Sequence, residues 1–316
     1  MSFSEELMSD FEAMLKMRTA IGFSVEADRV YLSSFVLFCG NNYPDSSAVT
    51  REMVDNWLKE YPFKAAKTQL NAIGIIRHFT SFQNALGKEA FVPDEDYTIH
   101  APRYRPYIFT DAELSTLFTT FDTLPPRYNS PSREYIVPVF FRLMYCCGMR
   151  PGEPRRLKCD DVNLGNGDIY IRKTKRNKDR HIVMSEDVRK LCVQYDRMMG
   201  ERQWFFQRWN GDPLENQWVR SQFSICWNRS GLEKRQNPRP YDLRHCFATR
   251  TMMRWIDEGR DIMAMLPYLS AYMGHAKFSY TLYYVHLLPD RLLKSANIDW
   301  EQFHEIYKGE KENEED

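Results

Sequence analysis

The stretch DIYIRKTKRNKDRHIVM, residues 168–184, contains two short runs in which apolar and polar residues alternate. These runs, Asp168–Arg172 and Arg180–Met184, are separated by the basic segment Lys173–Asp179. Alternation of this kind predicts two β-strands, and a short polar connection predicts that they pair as an antiparallel hairpin. The segment between them would form a hairpin tip with a high density of positive charge.

On both sides of this hairpin the sequence has a helical pattern. Thr110 and Glu113 have the spacing of a capping box, and Tyr135–Cys147 is an apolar run that ends at a glycine. From Glu186 to Tyr307 apolar side chains again recur at helical spacing. The predicted fold class of residues 108–307 is therefore mainly α with a small antiparallel β-sheet, an α+β arrangement.

The first 95 residues form a separate helical region. Apolar positions three and four residues apart define four helical segments, which are Ser4–Met17, Val25–Cys39, Val49–Glu60 and Ala65–Leu86. The following stretch is rich in proline and lacks a helical period, which is typical of an interdomain linker. We expect a helical domain at residues 1–95, a linker at 96–107, a second domain at 108–307 and an acidic tail at 308–316.

The composition excludes several classes of protein. The 316 residues include 43 lysines and arginines and 43 aspartates and glutamates, so the formal net charge is zero. No apolar run is long enough to cross a membrane, and the first residues lack the pattern of a secretory signal. The seven cysteines are odd in number and form no CxxC pair, which disfavours disulfides and a zinc site. We expect a cytoplasmic protein that binds neither a membrane nor a metal.

Positive charge is concentrated locally despite the neutral total. Residues 150–180 include ten basic and five acidic side chains, and residues 229–254 include seven basic and two acidic ones. Such segments are compatible with ordinary solvated faces, and equally with a surface that binds phosphate groups. Charge by itself leaves both interpretations open.

Four patches of the second domain contain side chains suited to a phosphodiester. They are a turn with an arginine and a glutamate, the basic hairpin tip, a Tyr-Asp-Leu-Arg-His segment, and a Gly-His pair followed by a tyrosine. Each patch alone has an ordinary explanation, such as a salt bridge, a solvated lysine, a helix cap or aromatic packing. The candidate residues are Arg150, Glu153, Lys175, Tyr241, Arg244, His275 and Tyr284.

Helical spacing predicts which residues of the third patch share one face of a helix. Tyr241 and Arg244 are three residues apart and would share one face of a helix. Asp242 and His245 would point elsewhere. We therefore expect Tyr241 and Arg244 at the site, without these two neighbours.

In this order and combination, the patches resemble the tyrosine recombinases of the phage-integrase and Xer type. That family carries an arginine in a Gly-x-Arg-x-x-Glu patch, a lysine in a β-hairpin, a His-x-x-Arg box, a Leu-Gly-His motif and a tyrosine nine residues beyond that histidine. The matching positions are Arg150 with supporting Glu153, Lys175, Arg244, His275 and Tyr284. The chain departs from the family at Tyr241, where the histidine of the His-x-x-Arg box is expected.

The resemblance implies a chemistry for these residues. Arg150, Arg244 and His275 would neutralise the phosphate, and Tyr284 would cut DNA by forming a 3′-phosphotyrosyl link. Lys175 would protonate the leaving 5′-oxygen. Neither a metal nor ATP nor another cofactor would be needed, because the link itself stores the energy of the broken bond.

The resemblance also implies partners and a setting. Tyr241 would stand in for the missing histidine as a hydrogen-bonding group. The helical region 1–95 would be a core-binding domain that encloses double-stranded DNA together with the catalytic domain. Family members act as homotetramers on paired recombination sites. The apolar segment Leu287–Tyr307 would either fold back on its own catalytic domain or, as the resemblance implies, dock on a neighbouring protomer. We expect a mobile-element integrase in the bacterial cytoplasm, associated with the nucleoid when it binds DNA.

Three other functions compete with this interpretation. A type IB topoisomerase carries a similar set of arginines, lysine, histidine and tyrosine, but relaxes supercoils without paired sites. A DNA-binding relative with a decayed catalytic centre would explain Tyr241. The intact set argues against it, namely Arg150, Lys175, Arg244, His275 and Tyr284. A metal-dependent nuclease is disfavoured, because no cluster of carboxylates accompanies the basic patches.

Overall fold

The computed structural model describes residues 2–94, 97, 104–172, 179–233 and 237–288. The chain separates into two compact units, Met1–Tyr104 and Arg105–Asp316. Each unit has its own hydrophobic core. The division falls inside the stretch that the sequence marks as a linker.

The described residues of the first unit form four helices. Their buried faces pack around large side chains such as Phe35, Trp57 and Phe79. The buried Asp10 carboxylate accepts a hydrogen bond from Gln83 at 2.8 Å, which ties the first helix to the fourth. All four helical segments predicted from the sequence are confirmed. They are α1 (Phe3–Ala20), α2 (Glu26–Asn42), α3 (Arg51–Glu60) and α4 (Ala66–Ala85).

The second unit is mainly helical, with one small sheet, as the sequence predicts. The predicted capping box is present, because Thr110 accepts from the backbone N–H of Glu113 and the Glu113 carboxylate accepts from that of Thr110. The helices are α5 (Asp111–Asp122), α6 (Arg133–Cys146), α7 (Gly152–Arg155), α8 (Glu186–Met199), α9 (Asn216–Arg229), α10 (Pro240–Asp257), α11 (Ile262–Met273) and α12 (Ser279–Val285). A 3-10 turn, Cys159–Asp161, precedes the sheet.

The predicted hairpin forms the larger part of a three-stranded antiparallel sheet. Its strands are β2 (Asp168–Ile171) and β3 (Arg180–Val183), and the short strand β1 (Val162–Asn163), which the sequence analysis did not anticipate, pairs with β2. Ile169, Ile171 and Ile182 lie on the buried face. Of the predicted tip Lys173–Asp179, residues 173–178 with Lys175 lie outside the described residues, as do residues 289–316 with the acidic tail.

Two clusters of buried side chains organise the second unit. The larger joins α5, α6, α8 and α9 to the sheet, and the smaller joins α10, α11 and α12 through residues such as Met252, Leu266 and Leu282. The smaller cluster packs these three helices against one another. Arg244 lies on α10, His275 follows the end of α11, and Tyr284 lies on α12. Within the described ranges, no helix combines the length and the hydropathy needed to span a membrane.

Gly148 follows the end of α6 and has little room for a side chain. Its φ of +61° is unfavourable for other residues, and an added Cβ would lie 2.5 Å from Cδ1 of Phe247. Gly259 has a similar φ of +70°, but nothing lies within 4 Å of an added Cβ. A comparison of alanine substitutions at the two glycines therefore separates the cost of backbone strain from the cost of a clash.

We predict that Gly148→Ala destabilises the second unit more than Gly259→Ala does. Backbone strain alone costs about 1 kcal/mol, or about 2–4 °C in Tm for a unit of this size, and the clash with Phe247 should at least double that loss. Thermal unfolding followed by circular dichroism measures both variants. Equal losses would show that Phe247 moves aside without cost.

Candidate active site

Arg150 lies in the turn that follows α6. Its Nη1 donates to Oε1 of Glu153 at 2.9 Å, and its backbone N–H donates to Oε2 of the same carboxylate at 2.8 Å. Its Nη2 donates to the carbonyl of Gly274 at 2.6 Å. The side chain is 24% exposed, so a fixed guanidinium still faces open space.

Glu153 is the carboxylate on which this turn depends. It is buried and accepts two further bonds from Arg180, at 2.8 and 2.9 Å. Burial by itself would raise the pKa of Glu153, but the hydrogen bonds and charge of Arg180 lower it below its usual value. The carboxyl group is therefore ionised and forms ion pairs with the guanidinium groups of both Arg150 and Arg180.

Arg180 begins the alternating run Arg180–Met184, which the sequence predicts to be the second strand of the hairpin. The sequence alone does not show that its side chain is buried. In the structure Arg180 opens β3, and its side chain is 8% exposed. It pairs across the strands with Ile171 and shares the buried face of the sheet.

Arg244 is fully buried on α10, behind the wall of the site. Its Nη1 donates to the carbonyl of Gly148 at 2.5 Å and its Nη2 to the carbonyl of Met273 at 2.7 Å. Its Nε has no hydrogen-bond partner within the part of the chain that the structure describes. No carboxylate is bonded to it in that part, so its positive charge acts on the neighbouring groups.

His275 follows Gly274, which ends α11 in the left-handed conformation with φ 64° and ψ 48°. The Nδ1 atom of His275 lies 2.7 Å from the hydroxyl oxygen of the buried Thr281, which leaves Nε2 for another partner. Burial, together with the charges of Arg244, Arg150 and Arg180, lowers the pKa of His275 to about 3. The imidazole is therefore neutral at physiological pH.

Tyr284 lies on α12 with 3% of its surface exposed. Its ring stacks on that of His275, with 5.9 Å between the centroids and 16° between the planes. Burial raises the pKa of Tyr284 to about 12, and the charge of Arg244 opposes this rise. The adjacent Tyr283 is more exposed and also reaches the site.

His245 belongs to the site, contrary to the sequence analysis. Its ring centroid lies 4.9 Å from that of Tyr241 and 5.5 Å from that of Tyr284. Burial and then the charge of Arg244 lower its pKa to about 4. Asp242 does point away, because its carboxylate accepts from the backbone N–H of Arg239 at the start of α10. The four-residue step from Tyr241 was the signal that places His245 on the same face.

These side chains surround a cavity of about 290 Å³. Guanidinium groups and a neutral imidazole next to a buried phenol can bind an oxyanion and hold the phenol oxygen against it. The residues at its wall are Arg150, Tyr241, His245, Gly274, His275, Ala276, Tyr280, Tyr283 and Tyr284. Lys175 is outside the described residues, and those described include no cluster of three or more His, Cys, Asp or Glu side chains that could hold a metal ion.

The structure thus brings together five of the residues that the sequence singled out. Arg150, Tyr241, His275 and Tyr284 line the cavity, and Arg244 lies behind it. Glu153 accepts hydrogen bonds from the backbone N–H and the guanidinium group of Arg150 and so holds this residue in place.

Similar proteins are known for most of the chain. A protein of Sinorhizobium fredii named as an integrase/recombinase is 28% identical over 312 residues, which cover 93% of this chain and 96% of that protein. The tyrosine recombinase XerD of Staphylococcus haemolyticus is 26% identical, over 76% of this chain and 77% of its own.

The fold is shared with solved recombinases. The structure of the XerH site-specific recombinase bound to its palindromic difH substrate aligns with a TM-score of 0.66 at 19% identity, over 94% of this chain and 85% of XerH. The family model described as the phage integrase family matches residues 108–291, more than half of the chain. With the arginines, histidine and tyrosine gathered at one cavity, this match shows that the chain belongs to the phage integrase family of tyrosine recombinases.

Proposed function

We propose that this protein is a site-specific recombinase that cuts and rejoins double-stranded DNA through a 3′-phosphotyrosyl link on Tyr284. The observation that carries the proposal is the position of Tyr284, buried against His275 and next to Arg244, at a cavity that Arg150 also lines.

The cavity would hold the scissile phosphate. Within the described contacts the Arg150 guanidinium makes two hydrogen bonds, so three of its five N–H groups remain for phosphate oxygens. The neutral His275 would donate from Nε2, because Thr281 occupies Nδ1. Arg244 would act through its buried charge. Such fixed donors stabilise the additional negative charge that develops on the phosphate oxygens during attack.

The reaction is balanced without a cofactor. The oxygen of Tyr284 loses its proton to a water molecule and forms a bond to phosphorus, while the bond from phosphorus to the 5′-oxygen breaks. Lys175 would give that oxygen its proton, and Tyr241 would hydrogen-bond the same phosphate. A 5′-hydroxyl from another strand reverses the step, so the exchange needs neither metal nor ATP.

The partners follow from the same proposal. The basic segments 150–180 and 229–254 supply charge for the DNA backbone. The first unit would be the core-binding domain, and four protomers would assemble on two paired sites through the segment Leu287–Tyr307. The protein would act in the bacterial cytoplasm, at the nucleoid, on the DNA of a mobile element.

We predict that Tyr284→Phe abolishes the covalent adduct with a nicked suicide DNA substrate and leaves DNA binding intact. Tyr283→Phe is the matched control, because it removes a hydroxyl from the next residue of the same cavity. Denaturing gel electrophoresis detects the adduct. Loss of the adduct in Tyr283→Phe with retention in Tyr284→Phe would assign the nucleophile to Tyr283. Relaxation of supercoiled DNA that lacks paired sites would instead indicate a topoisomerase.

For Tyr241 we predict that removal of the hydroxyl alone slows adduct formation. Tyr241→Phe keeps the ring against His245 but loses a hydrogen bond to the phosphate, which corresponds to a decrease of about 10- to 100-fold. Tyr241→His should retain cleavage, since it restores a donor. Single-turnover rates on the suicide substrate measure both. An unchanged rate for Tyr241→Phe would restrict Tyr241 to packing.

The neutral state of His275 predicts a loss of stability in acid. With a folded pKa of about 3, His275 stays neutral when the unfolded chain takes up a proton below pH 6.5, so stability falls as the pH drops below that value. At pH 5 the difference is about 2 kcal/mol, or about 4–8 °C in Tm.

His275→Gln should therefore lose less stability than the wild type between pH 7 and pH 5. Between pH 8 and pH 7 the two proteins should change in parallel, because the histidine is neutral in both states there. Thermal unfolding at the three pH values makes the comparison. Parallel behaviour down to pH 5 would mean that His275 carries its proton in the folded protein.

A further inference from the structure

Arg180 is a buried arginine whose three nitrogen atoms all have partners. Its Nη1 and Nη2 donate to the two oxygens of Glu153, at 2.8 and 2.9 Å, and its Nε donates to the carbonyl of Tyr272 at 2.9 Å. The side chain is 8% exposed. With every nitrogen engaged inside the protein, Arg180 is not arranged to receive a ligand.

Arg180 and Arg150 share one carboxylate, and they use it differently. Arg180 takes the paired, two-oxygen contact with Glu153, which is the strongest geometry that an arginine and a carboxylate can form. Arg150 is left with one guanidinium bond to Oε1 and a backbone bond to Oε2. Because Arg180 occupies the two-oxygen contact, most of the donors of Arg150 stay free for another anion.

Arg180 also contacts the turn that carries His275. A Cβ added at Gly274 would lie 3.0 Å from Cδ of Arg180, so the arginine stem packs closely against that glycine. The carbonyl of Gly274 in turn accepts a bond from Nη2 of Arg150. One side chain on β3 therefore fixes both the turn of Arg150 and the turn of His275.

We propose that Arg180 is a positioning residue, which holds Glu153 away from the phosphate-binding donors of Arg150. This inference rests on the proposed function, in which those donors bind the scissile phosphate. Without Arg180, the buried carboxylate has Arg150 as its remaining bonded cation. Arg150 would close onto both oxygens of Glu153, and the phosphate would lose donors.

The proposal differs from a purely structural role in one respect. If Arg180 only stabilises the fold, removal of the charge of Glu153 in addition to Arg180 relieves an unpaired carboxylate and raises Tm, but it does not change the rate of adduct formation measured well below both Tm values. If Arg180 acts by restraining Glu153, the second change removes the group that captures Arg150. The double variant Arg180→Met with Glu153→Gln should then react faster than Arg180→Met alone.

The experiment measures the rate of covalent adduct formation on a nicked suicide substrate, with DNA affinity and Tm measured on the same samples. A second substrate carries a neutral methylphosphonate at the scissile position, where less negative charge has to be neutralised. Arg202→Met is the matched control, because Arg202 is a buried arginine bonded to the carbonyls of Phe205 and Gly200. Arg180→Lys keeps the charge balance and serves if Arg180→Met does not fold.

We expect Arg180→Met to react at least tenfold more slowly than the wild type on the normal phosphate, with DNA affinity changed by less than about threefold. The double variant should recover most of that rate, and the deficit of Arg180→Met should shrink on the methylphosphonate. Arg180→Lys should show a smaller deficit that shrinks in the same way. Arg202→Met should lower Tm, and its rate relative to the wild type should be the same on the normal phosphate and on the methylphosphonate.

Two results would overturn the inference and leave the proposed function in place. One is a wild-type rate for Arg180→Met. The other is a deficit that is equal on both substrates and that Glu153→Gln does not relieve. A wild-type protein that forms no adduct on the normal phosphate would overturn the proposed function and this inference together.

Discussion

The ion pairs around Glu153 are the interaction on which the rest of the site depends. This carboxylate accepts four hydrogen bonds, two from Arg150 and two from Arg180, and so links the turn after α6 to strand β3. A buried charge is tolerated only when it is paired and bonded, and here each partner is needed to satisfy the other. These contacts fix the positions of the sheet, of α6 and of the end of α11 relative to one another.

Burial acts in a consistent direction on three ionisable groups of the cavity. It raises the pKa of Tyr284 and lowers the pKa values of His245 and His275, because each group is disfavoured in its charged form. In the free site the two histidines are therefore uncharged and Tyr284 keeps its proton, so the arginines are the remaining cations. A phosphate bound there would supply the missing negative charge.

Much of this molecule could be predicted from its sequence. The four helices of the first unit, the capping box at Thr110 and the hairpin arise from local periodicity and local hydrogen bonds, which the sequence displays directly. His245 was misassigned although its four-residue step from Tyr241 places both side chains on one face of α10. Its contact with Tyr284 also depends on how α10 packs against α12, and the burial of Arg180 depends on the position of Glu153 next to β3. No local pattern encodes these two packing arrangements.

The two carbonyl partners of Arg244 belong to the carboxyl-terminal ends of α6 and α11, where aligned peptide dipoles place partial negative charge. Such partners anchor a guanidinium without cancelling its formal charge, as a carboxylate would. On the proposed reaction, that charge meets a phosphate, which is identical at every nucleotide and carries no sequence information. The catalytic centre can therefore stay constant while other surfaces of the protein change, so that target choice and bond chemistry are free to evolve separately.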